Sequence, residues 1–120
     1  MGGVDEKMRL SILICAYNEE KGISYLLRNL SFQRLPPEIT DHEIIVVASG
    51  CTDRTVPIIK EFMTENSKIK LIEEKERRGK AAALNKALEA ATGDYIVFIP
   101  ADVLPAQNGL YHLLTPLRGS

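Results

Sequence analysis

No apolar run in this 120-residue chain approaches the ~18 residues that a membrane-crossing helix needs. Charge of one sign is missing too. The 15 Lys and Arg against 16 Asp and Glu give a net charge of −1, which leaves no basic field for nucleic acid or an anionic membrane. Cysteine occurs only as Cys15 and Cys51, too few for a disulfide scaffold. The opening residues, MGGVDEKMRL, carry acids and lack the apolar core of a secretion signal. No Gly-x-Gly-x-x-Gly follows the first apolar segment, which argues against hydride chemistry with NAD. Gly79-Lys80 lacks the upstream glycine and the following Ser or Thr of a Walker loop. No Cys-x-x-Cys or His-x-x-x-His pair offers a zinc site, and His42 and His112 stand alone as surface or structural residues. What remains is one cytoplasmic α/β domain, since 45% apolar and 26% charged residues suit a packed core.

Four short apolar segments carry the strand signal. Leu10–Ala16 and Glu43–Ala48 are almost continuously apolar, as strands buried on both faces of a parallel sheet are. Lys70–Glu73 is a weaker third strand, and Asp94–Ile99 a fourth that Pro100 ends. Between them the spacing turns helical. Ile23, Leu26, Leu27 and Leu30 form one stripe of a helix from Glu19 to about Gln33, stopped before Pro36-Pro37. Val56, Ile59, Phe62 and Met63 mark a second helix, with Thr52 as expected N-cap and Asp53 in its first turn. Lys80 to about Ala91 is a third, with Leu84, Leu88 and Ala91 as its apolar stripe and Thr92-Gly93 as its stop. Gln107–Leu114 begins a fourth, cut short by Thr115-Pro116.

This βαβαβαβ order predicts a Rossmann-like parallel sheet of four strands, order 3-2-1-4, flanked by helices. Such sheets bind ligands beyond the carboxyl ends of their strands, at the switch between the first strand and the fourth. That rule selects residues 16–19, 49–53 and 100–103.

Those loops also carry a resemblance. Ser11-Ile-Leu-Ile-Cys-Ala-Tyr-Asn-Glu-Glu20 resembles the opening strand and loop of the family 2 glycosyltransferases, inverting enzymes of the GT-A fold. Ile45 to Thr55 is similar to their second-strand motif, Arg78-Gly-Lys-Ala-Ala-Ala-Leu-Asn85 to their third-helix motif, and Gly93 to Asp102 to the strand bearing their Asp-x-Asp metal motif. Four stretches in register cover nearly the whole chain. The resemblance implies a nucleotide-diphosphate-sugar site, UDP by family default, and a divalent metal, Mn²⁺ or Mg²⁺, to neutralise the diphosphate as it leaves. It implies Asp102 as the direct metal ligand. Tyr17 then lies near the base, with Ala16, Asn18 and Glu19 on the same wall and Ser49 and Ala101 beside the donor. Asp53 either touches donor or caps its helix, and Lys80 either approaches a phosphate or stays solvated. Asn85 is expected to tie its helix to a loop. The charged run Glu74–Arg78 is a solvated loop, or one that orders over donor.

Three departures from the family pattern matter. Pro100 replaces the first acid of the metal motif, which weakens the metal site. Ala48-Ser49 stands where the family commonly has an acid for the uracil or ribose, and Ser49 offers only a neutral hydrogen bond. No acid follows Asp102, so no general base is in sight, and without tryptophan the Gln-x-x-Arg-Trp motif of processive members is absent. The expectation is one truncated donor-binding domain over residues 1–120, core about 9–105, inactive by itself, with an unknown acceptor. The alternatives are an assembly module, dimeric through an open sheet edge, and a sugar-1-phosphate nucleotidyltransferase, which lacks its glycine-rich loop here. Cys15 and Cys51 are expected as small buried thiols, or as a pair near enough to join under oxidation. The Asn29-Leu-Ser sequon falls within a helix and carries no weight.

Overall fold

A computed structural model describes residues 8–114. The elements run β1 (Met8–Ala16), α1 (Ile23–Phe32), β2 (Ile39–Ser49), α2 (Thr55–Glu65), β3 (Ile69–Glu74), α3 (Lys80–Ala90), β4 (Tyr95–Phe98) and α4 (Gly109–Leu114). The four strands form one sheet in the order β3-β2-β1-β4, every pairing parallel. The expected architecture is therefore the observed one. The Thr115-Pro116 stop and the ending Leu117–Ser120 lie outside the described residues.

Alternation along each strand sends side chains to two covers. Leu10, Ile12 and Ile14 of β1 meet Ile44 and Val46 of β2 on one face, under Leu26, Leu27 and Leu30 of α1 and Ile59 of α2. Leu13, Ile45 and Val47 point the other way, against Ala83 and Ala87 of α3. The small side chains of α3 let the helix sit close on the sheet. That corrects the expected stripe: Ala83 and Ala87 are the buried positions, Leu84 only flanks them, and Leu88 is 43% exposed.

Other boundaries move for identifiable reasons. α1 starts at Ile23, not Glu19, because Glu19 O first accepts from Gly22 N and Ile23 N in a turn. Thr52 is not the cap of α2. The helix starts at Thr55, whose amide and hydroxyl both donate to Asp53 Oδ1, at 2.9 and 2.6 Å. β2 begins four residues earlier than its apolar run, at Ile39. Asn85 is exposed on α3 and makes no side-chain hydrogen bond to a described residue, so it ties nothing. Cys15 packs on the α3 side of the sheet and Cys51 on the α1/α2 side; both are half-buried free thiols, not placed as a pair.

The amino-terminal end of the sheet is locked by one buried acid. Glu43 is 0% exposed. Its Oε2 accepts from Ser11 Oγ at 2.6 Å, Thr92 N at 2.7 Å and Thr92 Oγ at 2.9 Å, while Oε1 accepts from Lys70 Nζ at 2.7 Å and Arg9 at 3.2 Å. Gly93 N donates to Ser11 Oγ, closing the cluster. Burial alone would raise the carboxyl pKa, but these donors outweigh it and hold Glu43 well below the ordinary carboxylate range. The cluster joins β1, β2 and β3 to the turn before β4, and so sets where β4 delivers its carboxyl end.

Candidate functional site

At the opposite end of the sheet the three selected loops meet. β1 leaves the core at Ala16, and Asn18 takes a left-handed conformation, φ 49°, that Asn tolerates better than most residues. This aims the Asn18 side chain at the loop after β2. Asn18 Oδ1 accepts from Thr52 N at 2.8 Å and Asp53 N at 3.3 Å, and Asn18 Nδ2 donates to Thr52 Oγ at 3.3 Å. Glu19 N donates to Thr55 Oγ and Glu20 N to Asp53 Oδ2. Asn18 and Asp53 thus stitch the first two loops together. The hydrogen bonds hold the Asp53 carboxyl below its ordinary range, against the effect of its burial.

The third loop enters beside them. Ile99 N donates to Leu13 O, Ile99 and Ala101 pack into the core, and Asp102 is exposed next in line. Because the Ala101 methyl is buried, only its backbone is left to face a ligand. Partial burial raises the Glu19 carboxyl pKa, Asp102 and Asp53 raise it further, and Lys80 opposes them. Glu19 is thus the group that the charges of the other two loops and of α3 reach. Among the described residues no three His, Cys, Asp or Glu side chains gather as an all-protein metal cage.

Beside these charges lies a cleft of about 110 Å³ lined by Ala16, Tyr17, Ser49, Arg77, Gly79 and Lys80 among others. It is smaller than the roughly 300–1,000 Å³ of a whole small-molecule pocket. The Arg77 guanidinium lies 4.0 Å from the Tyr17 ring centroid, so the charged loop folds back over the first strand's exit. Gly50, at φ 64°, permits this: a Cβ there would sit 2.7 Å from Arg77 N. Ser49 Oγ donates to Glu74 Oε1 at 2.7 Å. The sequence pattern did not single out Arg77 or Glu74 because it treats their run as one loop, solvated or ordered over donor; the register Ser49↔Glu74 shows that Glu74 ends β3 instead. A larger hollow of about 540 Å³, lined by Arg28, Phe32, Glu61 and Glu65 among others, lies on α1 and α2 and touches none of the selected loops.

The model of the glycosyl transferase family 2 domain matches residues 11–119. The chain belongs to that family. Relatives of this glycosyltransferase family 2 chain include the poly-β-1,6-N-acetyl-D-glucosamine synthase of Staphylococcus aureus, 32% identical over 111 residues, which are 92% of this chain and 26% of the relative. The mannosyltransferase PcManGT of Pyrobaculum calidifontis, solved with GDP-Man and Mn²⁺, is 34% identical and superimposes with a TM-score of 0.76 over 87% of this chain and 30% of that one. S. aureus TarS, residues 1–349 with UDP-GlcNAc, is 27% identical with a TM-score of 0.76 over 92% of this chain and 30% of its own. These neighbours identify the sheet as that of a GT-A glycosyltransferase. This chain spans about a third or less of their lengths. No helix among its described residues is long and apolar enough to cross a membrane.

Proposed function

We propose that these 120 residues form a single truncated domain, the donor-binding part of a larger glycosyltransferase, and hold a nucleotide-diphosphate sugar over the carboxyl ends of β1, β2 and β4. The observation that carries this reading is that the loops bearing Glu19, Asp53 and Asp102 leave the same end of the sheet beside the Tyr17–Arg77 cleft, which Glu19 and Lys80 line. The base lies in the cleft against Tyr17, Ala16 and Ser49. Lys80, exposed at the start of α3, faces the diphosphate with the helix N-terminus behind it. Asp102 is the direct ligand of a divalent cation, which supplies charge neutralisation to the departing diphosphate. Asn18 and Asp53 act mainly by fixing the loop wall. PcManGT and TarS, bound to GDP-Man and UDP-GlcNAc, support the ligand class. The two free thiols suit a cytoplasmic setting.

The chain transfers no sugar by itself, because no Asp or Glu follows Asp102 to deprotonate an acceptor hydroxyl. Calorimetric titration with GDP and UDP, with and without Mn²⁺, tests the reading. Metal-dependent binding that Asp102→Ala abolishes is the expected result; metal-independent binding, or none, refutes it. Sugar transfer by the purified chain would refute its inactivity. One observation favours a second reading, an assembly module. Ile96 and Phe98 are 47% and 41% exposed on β4, whose outer edge is unpaired among the described residues. A concentration-dependent dimer that binds no nucleotide would decide for it.

A further inference from the structure

The pair Ser49–Glu74 has the chemistry of a base selector. The two residues face each other across β2 and β3 at the last register position of the sheet, on the face that carries Cys15 and α3. Glu74 is held there from both ends, since its carbonyl accepts from Gly50 N at 2.8 Å and its Oε1 from Ser49 Oγ at 2.7 Å. An ionised carboxylate only accepts, so the single hydroxyl hydrogen of Ser49 is committed to it. Glu74 Oε2 takes no hydrogen bond from a described residue. Ser49 lines the cleft and Glu74 lines the adjoining hollow over the end of β3, so at the boundary of the two the pair presents lone pairs and no donor. Beside it, the Arg77 guanidinium lies over the Tyr17 ring, a cation–π pair against which a base can pack.

On the reading of this cleft as the base subsite, we propose that Glu74, with Ser49, determines donor specificity by accepting ring and amino N–H groups, and that the preferred base is guanine. Guanine offers two adjacent donors on one edge, its ring N1–H and its 2-amino group, matching two adjacent acceptors. Uracil offers one N–H between two carbonyls, which face the pair's lone pairs. Cytosine and adenine place a bare ring nitrogen next to their amino group. A site built of acceptors discriminates strongly because an unmatched edge leaves charged lone pairs without partners.

The test is calorimetric titration of the 120-residue chain with GDP, UDP, CDP and ADP in Mn²⁺, repeated on Glu74→Gln, Ser49→Ala and the control Glu73→Gln. GDP binds tightest. Glu74→Gln, whose amide puts donors where acceptors were, weakens GDP by about tenfold or more and narrows its lead over CDP. Ser49→Ala, which keeps the backbone pairing, weakens GDP less and in the same direction. Glu73→Gln changes nothing. UDP binding tighter than GDP, or an unchanged GDP-to-CDP ratio in folded Glu74→Gln and Ser49→Ala, overturns the proposal and leaves the donor site standing. No binding of any of the four overturns the donor site, and this assignment with it.

Discussion

Replacing Glu43 by Gln removes one charge and almost no volume from the amino-terminal end of the sheet. The carboxylate is completely buried and accepts from Ser11, Lys70, Arg9 and twice from Thr92. An amide serves one oxygen position and turns the other into a donor, facing either the Thr92 amide or the Lys70 and Arg9 cations. Breaking one partner of a buried, hydrogen-bonded charge cluster costs about 3 kcal/mol. For a domain of this size that corresponds to about 10 °C in Tm. The pH dependence is a second readout. Glu43 has its folded pKa far below its ordinary value of 4.5, so its stabilisation is fully present above that value and is lost as pH falls toward the folded one. The gap in urea midpoint between wild type and Glu43→Gln should narrow from pH 7 to pH 3. A residual acid slope remains in the variant, because hydrogen bonding also holds Asp41 and Asp53 below their ordinary values. Equal midpoints at pH 7, or a gap as wide at pH 3 as at pH 7, would refute this account of the cluster.

Asn18→Ala loses three hydrogen bonds to the loop after β2 and leaves an alanine at positive φ. A loss of about 2 kcal/mol in chemical denaturation, with weaker nucleotide binding, is expected. Gly50→Ala drives a Cβ into the Arg77 backbone at 2.7 Å, so it should lower thermal stability by at least ~1 kcal/mol and weaken nucleotide binding as the Arg77 loop is displaced. Gly93→Ala places a Cβ 2.6 Å from both Ser11 N and Ser11 Oγ. It should destabilise by about 2 kcal/mol or more, measured by the thermal midpoint, since backbone cannot yield cheaply.

The sheet was legible because continuous apolar runs such as Ile12–Ala16 and Ile44–Ala48 have no other home than a strand covered on both faces. The loops were legible because a parallel sheet puts its ligand end where Tyr17, Ser49 and Asp102 fall. What stayed hidden depends on pairs distant in sequence. Ser11 and Glu43 are polar residues inside apolar strands, a signal in itself, but their partner Thr92 lies 49 residues beyond Glu43. Ser49 alone reads as a neutral substitute for a family acid; only the strand register brings Glu74 to its side. On α3, leucine outranks alanine in any apolar count, yet closeness of helix to sheet selects Ala83 and Ala87. Sequence alone leaves Asp53 as donor contact or cap; its bonds to Thr55 and Glu20 favour the second.

The most direct measurement is an amide NMR titration of the chain with GDP and Mn²⁺, in wild type and Asp102→Ala. The account predicts paramagnetic broadening centred on residues 17–19, 49–53 and 101–103 that requires nucleotide and vanishes in the variant. Broadening that persists in Asp102→Ala, or that centres on the α1–α2 surface, would contradict it.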